Sequence, residues 1–101
     1  MDIEERERLF RYRDSSPEAI SLRLRAARSL VAPSQKDFAA LVGINNKTYH
    51  YQESAGAPGI QVIDYLYKNA RVGPNFILLG EFLPLPGDVQ NALVDVLRAP
   101  D

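Results

Sequence analysis

The residues best suited to chemistry lie in one stretch, SQKDFAALVGINNKTYHYQESAG, at positions 34–56. It reads as two short helices joined by a tight turn at Gly43, and a unit of that shape often lies against the major groove of DNA. Asparagine can pair bidentately with adenine and lysine can donate to guanine acceptors, and the stretch contains both residue types. The stretch therefore suggests hydrogen bonding to a nucleic acid. The alternative interpretation is a solvated helix face that binds nothing.

Catalysis and metal binding are not expected from this sequence. It has no nucleophile elbow, no phosphate-cradling glycine loop, no paired carboxylate cluster and no metal-ligand spacing. His50 is the single histidine, cysteine is absent, and no carboxylate stands four residues after His50, which argues against a metal site. We expect no enzyme activity, no cofactor and no metal.

The composition is that of one ordinary globular domain. The chain has 101 residues, of which 46% are hydrophobic and 25% are charged, enough for a single modest core. No apolar run approaches the roughly 18 residues that suggest a membrane span, and the charged N-terminus does not resemble a signal peptide. The lack of cysteine fits a reducing compartment, so a cytoplasmic location is expected.

The formal charge of −1 is unevenly distributed. Residues 1–36 carry eight basic and six acidic side chains, for +2, whereas residues 37–101 carry four basic and seven acidic, for −3. The early basic residues are Arg6, Arg8, Arg11, Arg13, Arg23, Arg25, Arg28 and Lys36. The charge on the local protein surface determines the electrostatic field at a bound phosphate. The net charge of the whole chain therefore argues only against strong non-specific DNA binding.

Helix start and stop signals predict an all-α bundle of five or six short helices, with no convincing strand. Ser16, Ser34 and Asn45 are good N-caps. Helices are expected at about 17–31, from Ser34 to Gly43, at 46–54, at 60–70, from Pro74 and at 88–98. In domain terms, 1–16 is a charged helix or arm, 17–81 is a helix-turn-helix domain, and 82–101 is a linker with a C-terminal helix.

Apolar periodicity predicts the buried sides of these helices. The expected core residues are Ile20, Leu24, Ala27, Val31, Phe38, Ala39, Leu41, Val42, Phe76, Ile77 and Leu79. The helix at 60–70 places Ile60, Ile63, Leu66, Tyr67 and Ala70 on one side, and Tyr65 and Tyr67 are interpreted as core. The stripe Val89, Leu93, Val96 and Leu97 is either a lid on the same core or a dimer surface.

The combination around the turn is more specific than any one of its parts. Gly43 supplies a positive φ, and Ala39 is small where the two helices cross. Together with LRLRAAR at 22–28 and PNFILLGE at 74–81, the stretch at 34–53 resembles the lambda-repressor/Cro-like (XRE family) helix-turn-helix domains. The likeness covers about residues 18–80. It implies a lambda-repressor-like DNA-binding domain with N-terminal and C-terminal extensions.

The resemblance also implies roles at matching positions. Gln35 would bond a DNA phosphate and brace the recognition helix, which would enter the major groove by its N-terminal end. Arg28 and Glu53 would form a partly buried structural salt bridge. The residues expected to contact DNA, at bases or backbone, are Gln35, Lys36, Asn45, Asn46, Lys47, Thr48, His50 and Tyr51.

Three positions depart from the family pattern. Tyr49 replaces the usual Ile or Val, so the anchor beneath the recognition helix is larger. Ala55 stands where glycine is common and Gly56 follows it, so that helix should end one residue later. Lys47 is the sole basic residue on the helix, so a phosphate clamp would need backbone amides, Gln35, Lys36 and arginines elsewhere.

The two ends of the chain leave alternatives open. For Arg6, Arg8, Arg11 and Arg13, a solvated helix balanced by glutamates is favoured over an arm that wraps DNA. For the C-terminal stripe a dimer surface is favoured, because members of the family commonly pair near the end of the preceding helix.

The function expected from the sequence is sequence-specific regulation of transcription, of prokaryotic or phage type. The protein would be a repressor that binds double-stranded operator DNA as a homodimer and has no membrane partner. The alternative is a protein-interaction module that keeps the helix-turn-helix fold and has lost operator binding, with a protein partner in place of DNA.

Overall fold

Seven α-helices build residues 1–99, the part of the chain that the computed structural model describes. They are α1 (Ile3–Leu9), α2 (Pro17–Ser29), α3 (Gln35–Val42), α4 (Asn46–Ala55), α5 (Ile60–Ala70), α6 (Pro74–Leu79) and α7 (Gly87–Arg98). All regular structure in this range is helical, so the all-α prediction is confirmed. The predicted count of five or six is too low, because the charged N-terminal segment forms a helix as well.

Three helix starts are closed by the side chains that the sequence indicated. Ser16 Oγ accepts from Ala19 N at 3.2 Å, and Ser34 Oγ accepts from Asp37 N at 3.1 Å. At the start of α4, Asn45 Oδ1 accepts from the backbone N–H of Lys47 at 2.8 Å. Each cap satisfies one backbone donor that the helix itself leaves unpaired, which typically stabilises it by about 1 kcal/mol.

The N-terminal segment is a docked helix. Phe10, which follows α1, is fully buried, and its ring centroid lies 5.3 Å from that of Phe76 and 5.1 Å from that of Phe82. Arg6 donates to Gln90 Oε1 at 2.7 Å and to Asn91 Oδ1 at 3.1 Å, tying α1 to α7. An arm free to wrap DNA does not fit this packing.

The C-terminal helix covers the core of its own chain. Val89 and Leu93 are buried, as is Val94, whereas Val96 and Leu97 are half-buried. The preference for a dimer surface on this stripe is therefore wrong, and the lid interpretation is right. The physical reason is that α7 packs against α1 and α2, which remove its apolar side from solvent.

Helix α5 is rotated from the predicted orientation, so that only part of the predicted apolar side is buried. Val62 and Leu66 are buried where α5 meets α2 and α3, whereas Ile60 is 78% and Tyr67 is 61% exposed. The interpretation of Tyr67 as core is wrong. Tyr65 is half-buried edge-on against the ring of Phe38.

Two more residues expected in the core, Leu41 on α3 and Leu79 on α6, are also exposed. Each belongs to a short helix in which other apolar residues form the side that packs against the core. Phe38 and Ala39 are buried on α3, and Phe76 and Ile77 are buried on α6.

Arg23, on α2, is a fully buried cation that the sequence did not reveal. Its guanidinium and Nε donate to the carbonyls of Phe10 at 3.0 Å, Arg11 at 2.9 Å, Asp14 at 2.5 Å and Ile77 at 3.0 Å. Burial is the main cause that lowers the pKa of Arg23 from its usual value, but an arginine remains charged at neutral pH. Arg23 thus joins α2, α6 and the segment after α1, and it cannot meet a phosphate.

Two glycines at helix ends provide a matched test of close packing. Gly43 and Gly56 both adopt a positive φ, of +88° and +66°. A methyl group added at Gly43 would contact no other atom, whereas one added at Gly56 would collide with the backbone carbonyl of Pro17. We expect Gly43→Ala to lower the free energy of unfolding by about 1–2 kcal/mol, the cost of the left-handed conformation. Gly56→Ala should cost about 1–3 kcal/mol more because of the collision. Urea unfolding followed by circular dichroism measures both, and equal losses would contradict this packing at Gly56.

Candidate nucleic-acid interface

Helices α3 and α4 are joined by a three-residue turn, Gly43–Asn45. Gly43 has φ 88°, and the N–H groups of Gly43 and Ile44 both donate to the carbonyl of Ala39, at 2.9 and 3.0 Å. Ala39 is buried, so its small side chain permits the close approach of the two helices. The turn holds the N-terminal end of α4 at the surface.

The inner side of α4 is anchored by Tyr49. This side chain is fully buried, with its ring centroid 4.8 Å from that of Phe38. Its hydroxyl donates to Glu53 Oε1 at 3.0 Å. Burial, followed by the negative charge of Glu53, raises the pKa of the Tyr49 phenol, so the hydroxyl stays a neutral donor. The larger anchor is thus accommodated because its polar end has a partner.

Beneath the same helix, Arg28 from α2 meets Glu53 from α4. Arg28 Nε donates to Glu53 Oε1 at 3.0 Å, and the two side chains are only 10% and 5% exposed. Arg28 Nη1 also donates to the carbonyls of Ala32 and Pro33, at 3.3 and 3.2 Å. This ion pair, implied by the family resemblance, locks α4 onto α2 and places the charge of Arg28 out of reach of a ligand.

Gln35, the first residue of α3, connects the buried pair to the surface. Its Nε2 donates to Glu53 Oε2, and its Oε1 lies 2.6 Å from His50 Nδ1. The bracing role expected of Gln35 fits these contacts. Both ends of its amide already have protein partners, so a phosphate would have to share this amide or use the backbone N–H groups of the first turn of α3.

The outer side of α4 faces solvent. Seven of the eight residues expected to contact DNA are exposed, and they are Lys36, Asn45, Asn46, Lys47, Thr48, His50 and Tyr51. Tyr51 is 66% exposed, a large value for an aromatic side chain. Asn45 differs from the others because its side chain caps α4, so its backbone is the part free to contact a ligand.

Two arginines approach the other end of α4. A shallow concavity is lined by Arg11 and by Arg25 on α2 together with Ser54 near the end of α4. Arg11 and Arg25 are exposed, in contrast to Arg23 and Arg28. Lys47 lies at the start of α4, and Lys36 adjoins Gln35, which contacts His50 at the middle and Glu53 in the second half of that helix. At the end of α4, Arg11 and Arg25 share the concavity with the acidic side chain of Glu18.

The buried polar side chains of residues 1–99 are satisfied within the protein. Every buried side-chain nitrogen and oxygen atom in this range has a hydrogen-bond partner. No group of three or more His, Cys, Asp or Glu side chains among these residues is placed to bind a metal. Among the helices described, none has the length and apolar content needed to cross a membrane.

Sequence reasoning missed the contact between Gln35 and His50. The two residues stand 15 positions apart, on different helices, and no local pattern links them. The sequence indicated this contact in part, because Gln35 was expected to brace the helix that carries His50.

No family model, curated protein or solved structure matches this chain. The likeness to lambda-repressor/Cro-like domains therefore depends on the residues at 22–28, 34–53 and 74–81.

Proposed function

We propose that the protein is a sequence-specific DNA-binding regulator of transcription, a repressor on a lambda-repressor/Cro-like helix-turn-helix fold. One observation carries the proposal: α4 is anchored on its inner side by Tyr49 and Glu53 while its N-terminal end projects into solvent. A helix held in this way can enter a major groove with its first turns against the bases.

Each exposed side chain of α4 has a suitable partner on DNA. Asn46 suits the N6 and N7 edge of adenine, and Lys47 suits the O6 and N7 acceptors of guanine. Thr48 and the backbone at Asn45 suit phosphate oxygens, which position the helix without reading sequence. Lys36 on α3 and Arg25 on α2 supply further positive charge near the second half of α4. Because few cations are available, affinity should depend on base contacts more than on the phosphate field.

The proposed assembly on an operator is a homodimer, which would read two half-sites about one helical turn apart. Because the stripe on α7 is buried, we propose that two subunits pair through the exposed side of α5. This side is formed by Ile60, Ile63 and Tyr67 beside Pro74. The Asp64–Lys68 pair, 3.1 Å apart, puts both signs of charge beside these residues, which is compatible with a self-complementary two-fold interface.

The pairing surface is tested by Ile60→Asp, which should sediment as a monomer where the native protein is a dimer. Leu83→Asp is the matched control, because Leu83 is a similarly exposed apolar residue outside the α5 surface. A native protein that stays monomeric, or a control that dissociates equally, would contradict this interface.

DNA contact itself is tested by NMR titration of the labelled protein with a mixed-sequence duplex at low salt. We expect the largest chemical-shift changes at residues 35–36 and 45–51. A plot of log affinity against log salt concentration should have a slope of about −0.9 for each phosphate neutralised. Three contacts, from Lys36, Lys47 and Arg25, predict a slope of roughly −3 per subunit. Shifts confined to α1 and α7, or no salt dependence, would contradict the proposal.

A protein-interaction module is the second candidate function. It is favoured by the net charge of −3 over residues 37–101 and by the exposed apolar residues of α5. Under this alternative, α5 would meet a different protein and α4 would show no preference among duplexes.

A further inference from the structure

The orientation of the Gln35 amide is determined by the groups around it. Glu53 Oε1 already accepts from Arg28 Nε and from the hydroxyl of Tyr49. A carboxylate paired with a guanidinium accepts hydrogen bonds and donates none, so the amide NH₂ of Gln35 must be the end that faces Glu53 Oε2. The carbonyl oxygen of Gln35 is then the end that faces His50.

This orientation determines which nitrogen of His50 carries the proton. His50 Nδ1 lies 2.6 Å from Gln35 Oε1, and an oxygen that only accepts requires a donor on the other atom. Nδ1 must therefore be protonated. In a neutral imidazole the second nitrogen, Nε2, then has no proton and is a hydrogen-bond acceptor.

We infer that Glu53, acting through Gln35, holds the neutral imidazole of His50 in the Nδ1–H form, so that its Nε2 offers DNA a hydrogen-bond acceptor. The base preference rests on the proposed DNA-binding function; the protonation state does not. An acceptor at this place matches the amino groups of adenine N6 and cytosine N4. It does not match a phosphate or a guanine O6, which only accept.

The protonated imidazole would have the opposite preference. A second proton on the imidazole makes Nε2 a donor, which suits guanine or a phosphate. The charged and titratable groups on the surrounding elements are Lys47, Tyr51 and Glu53 on α4, Lys36 and Asp37 at the start of α3, and Arg28 of α2 behind Glu53. Of these, Glu53 is the one connected to His50 through hydrogen bonds.

The protonation state can be measured on the full chain without DNA. His50 is the single histidine, so long-range proton–nitrogen correlation spectra report its ring without ambiguity. At about pH 8, where an ordinary imidazole is neutral, we expect the Nδ1–H form, the opposite of the form that free histidine favours in water. Gln35→Ala should return the ring to mainly Nε2–H, whereas Lys36→Ala, beside it, should not. A native protein with the Nε2–H form would overturn the inference.

The base preference is then measured on duplexes enriched by the native protein. At about pH 8, exchanging the adenine or cytosine opposite His50 should weaken binding roughly fivefold, the lower end for one base contact. No preference at this position, or a preference for guanine, would overturn the inference about base reading. If no duplex is enriched while the Nδ1–H form is found, the proposed function fails and the inferred proton position stands.

Discussion

Replacing Arg23 by methionine should lower the free energy of unfolding by about 3–5 kcal/mol, as expected when one partner of a buried charged network is removed. The side chain is fully buried and donates to four backbone carbonyls. Methionine fills similar volume but donates nothing, so the carbonyls of Phe10 and Ile77 would lose their side-chain donor inside the core. Each unsatisfied buried group costs about 1–3 kcal/mol.

Arg25→Met is the matched control for this experiment. Arg25 lies two residues further along α2 and is exposed, so its loss should change stability by less than about 0.5 kcal/mol. Urea unfolding measures both variants. Because a domain has only about 5–15 kcal/mol of stability, the Arg23 variant should unfold at much lower urea or be partly unfolded in water. Equal stabilities of the two variants would show that Arg23 does not join α2 to α6.

Replacing Glu53 by alanine should also lower stability by about 3–5 kcal/mol, because Arg28 would remain buried without its carboxylate. The side chains of Arg28 and Glu53 are 10% and 5% exposed, so water does little to screen their interaction. The same substitution removes the acceptor for the Tyr49 hydroxyl and for Gln35 Nε2. The contacts with Arg28 on α2 and with Gln35 on α3 hold α4 against the rest of the protein, and the contact with Tyr49 lies within α4.

The coupling can be isolated by combining Arg28→Met with Glu53→Met. The double variant should lose less stability than the two single losses added together, since neither charge is then left alone. Tyr49→Phe, which removes only one hydroxyl, should cost about 1 kcal/mol. Additive losses from the two charged residues would indicate that they do not interact in the folded protein.

The local features of this fold were predictable from sequence, because short-range chemistry decides them. Ser16, Ser34 and Asn45 cap the helices where their side chains reach the next free N–H groups. Gly43 and Gly56 end α3 and α4 in the left-handed conformation that other residues avoid. The late end of α4, expected from Ala55 and Gly56, appears for the same reason.

The orientation of whole helices was not predictable, because periodicity does not say which neighbour covers a side. Helix α5 has two apolar sides, and its contacts with α2 and α3 select Val62 and Leu66 over Ile60 and Tyr67. The stripe on α7 was ambiguous in the sequence, because the packing of α1 and α2 against this helix decides whether the stripe is covered. Arg23 could not be identified, since its four carbonyl partners belong to separate segments of the chain.

The candidate site also has features that were predictable from the sequence and features that were not. The family resemblance placed Asn46, Lys47, His50 and Tyr51 on the outer side of α4, and all four are exposed. The bond between Gln35 and His50 depends on the crossing of α3 and α4, which only the three-dimensional structure defines. This crossing also determines how the first turn of α4 is presented to a ligand.

The most direct test of the proposed function is selection from a random duplex library with the native protein and with Asn46→Ala and Lys47→Ala. Both side chains are exposed, so the variants should stay folded and serve as probes of the surface alone. The native protein should enrich one motif, and each variant should lose preference at one position of it, by about 1–3 kcal/mol. A library that returns no motif with the folded native protein, or the same motif from all three proteins, would show that α4 does not read DNA.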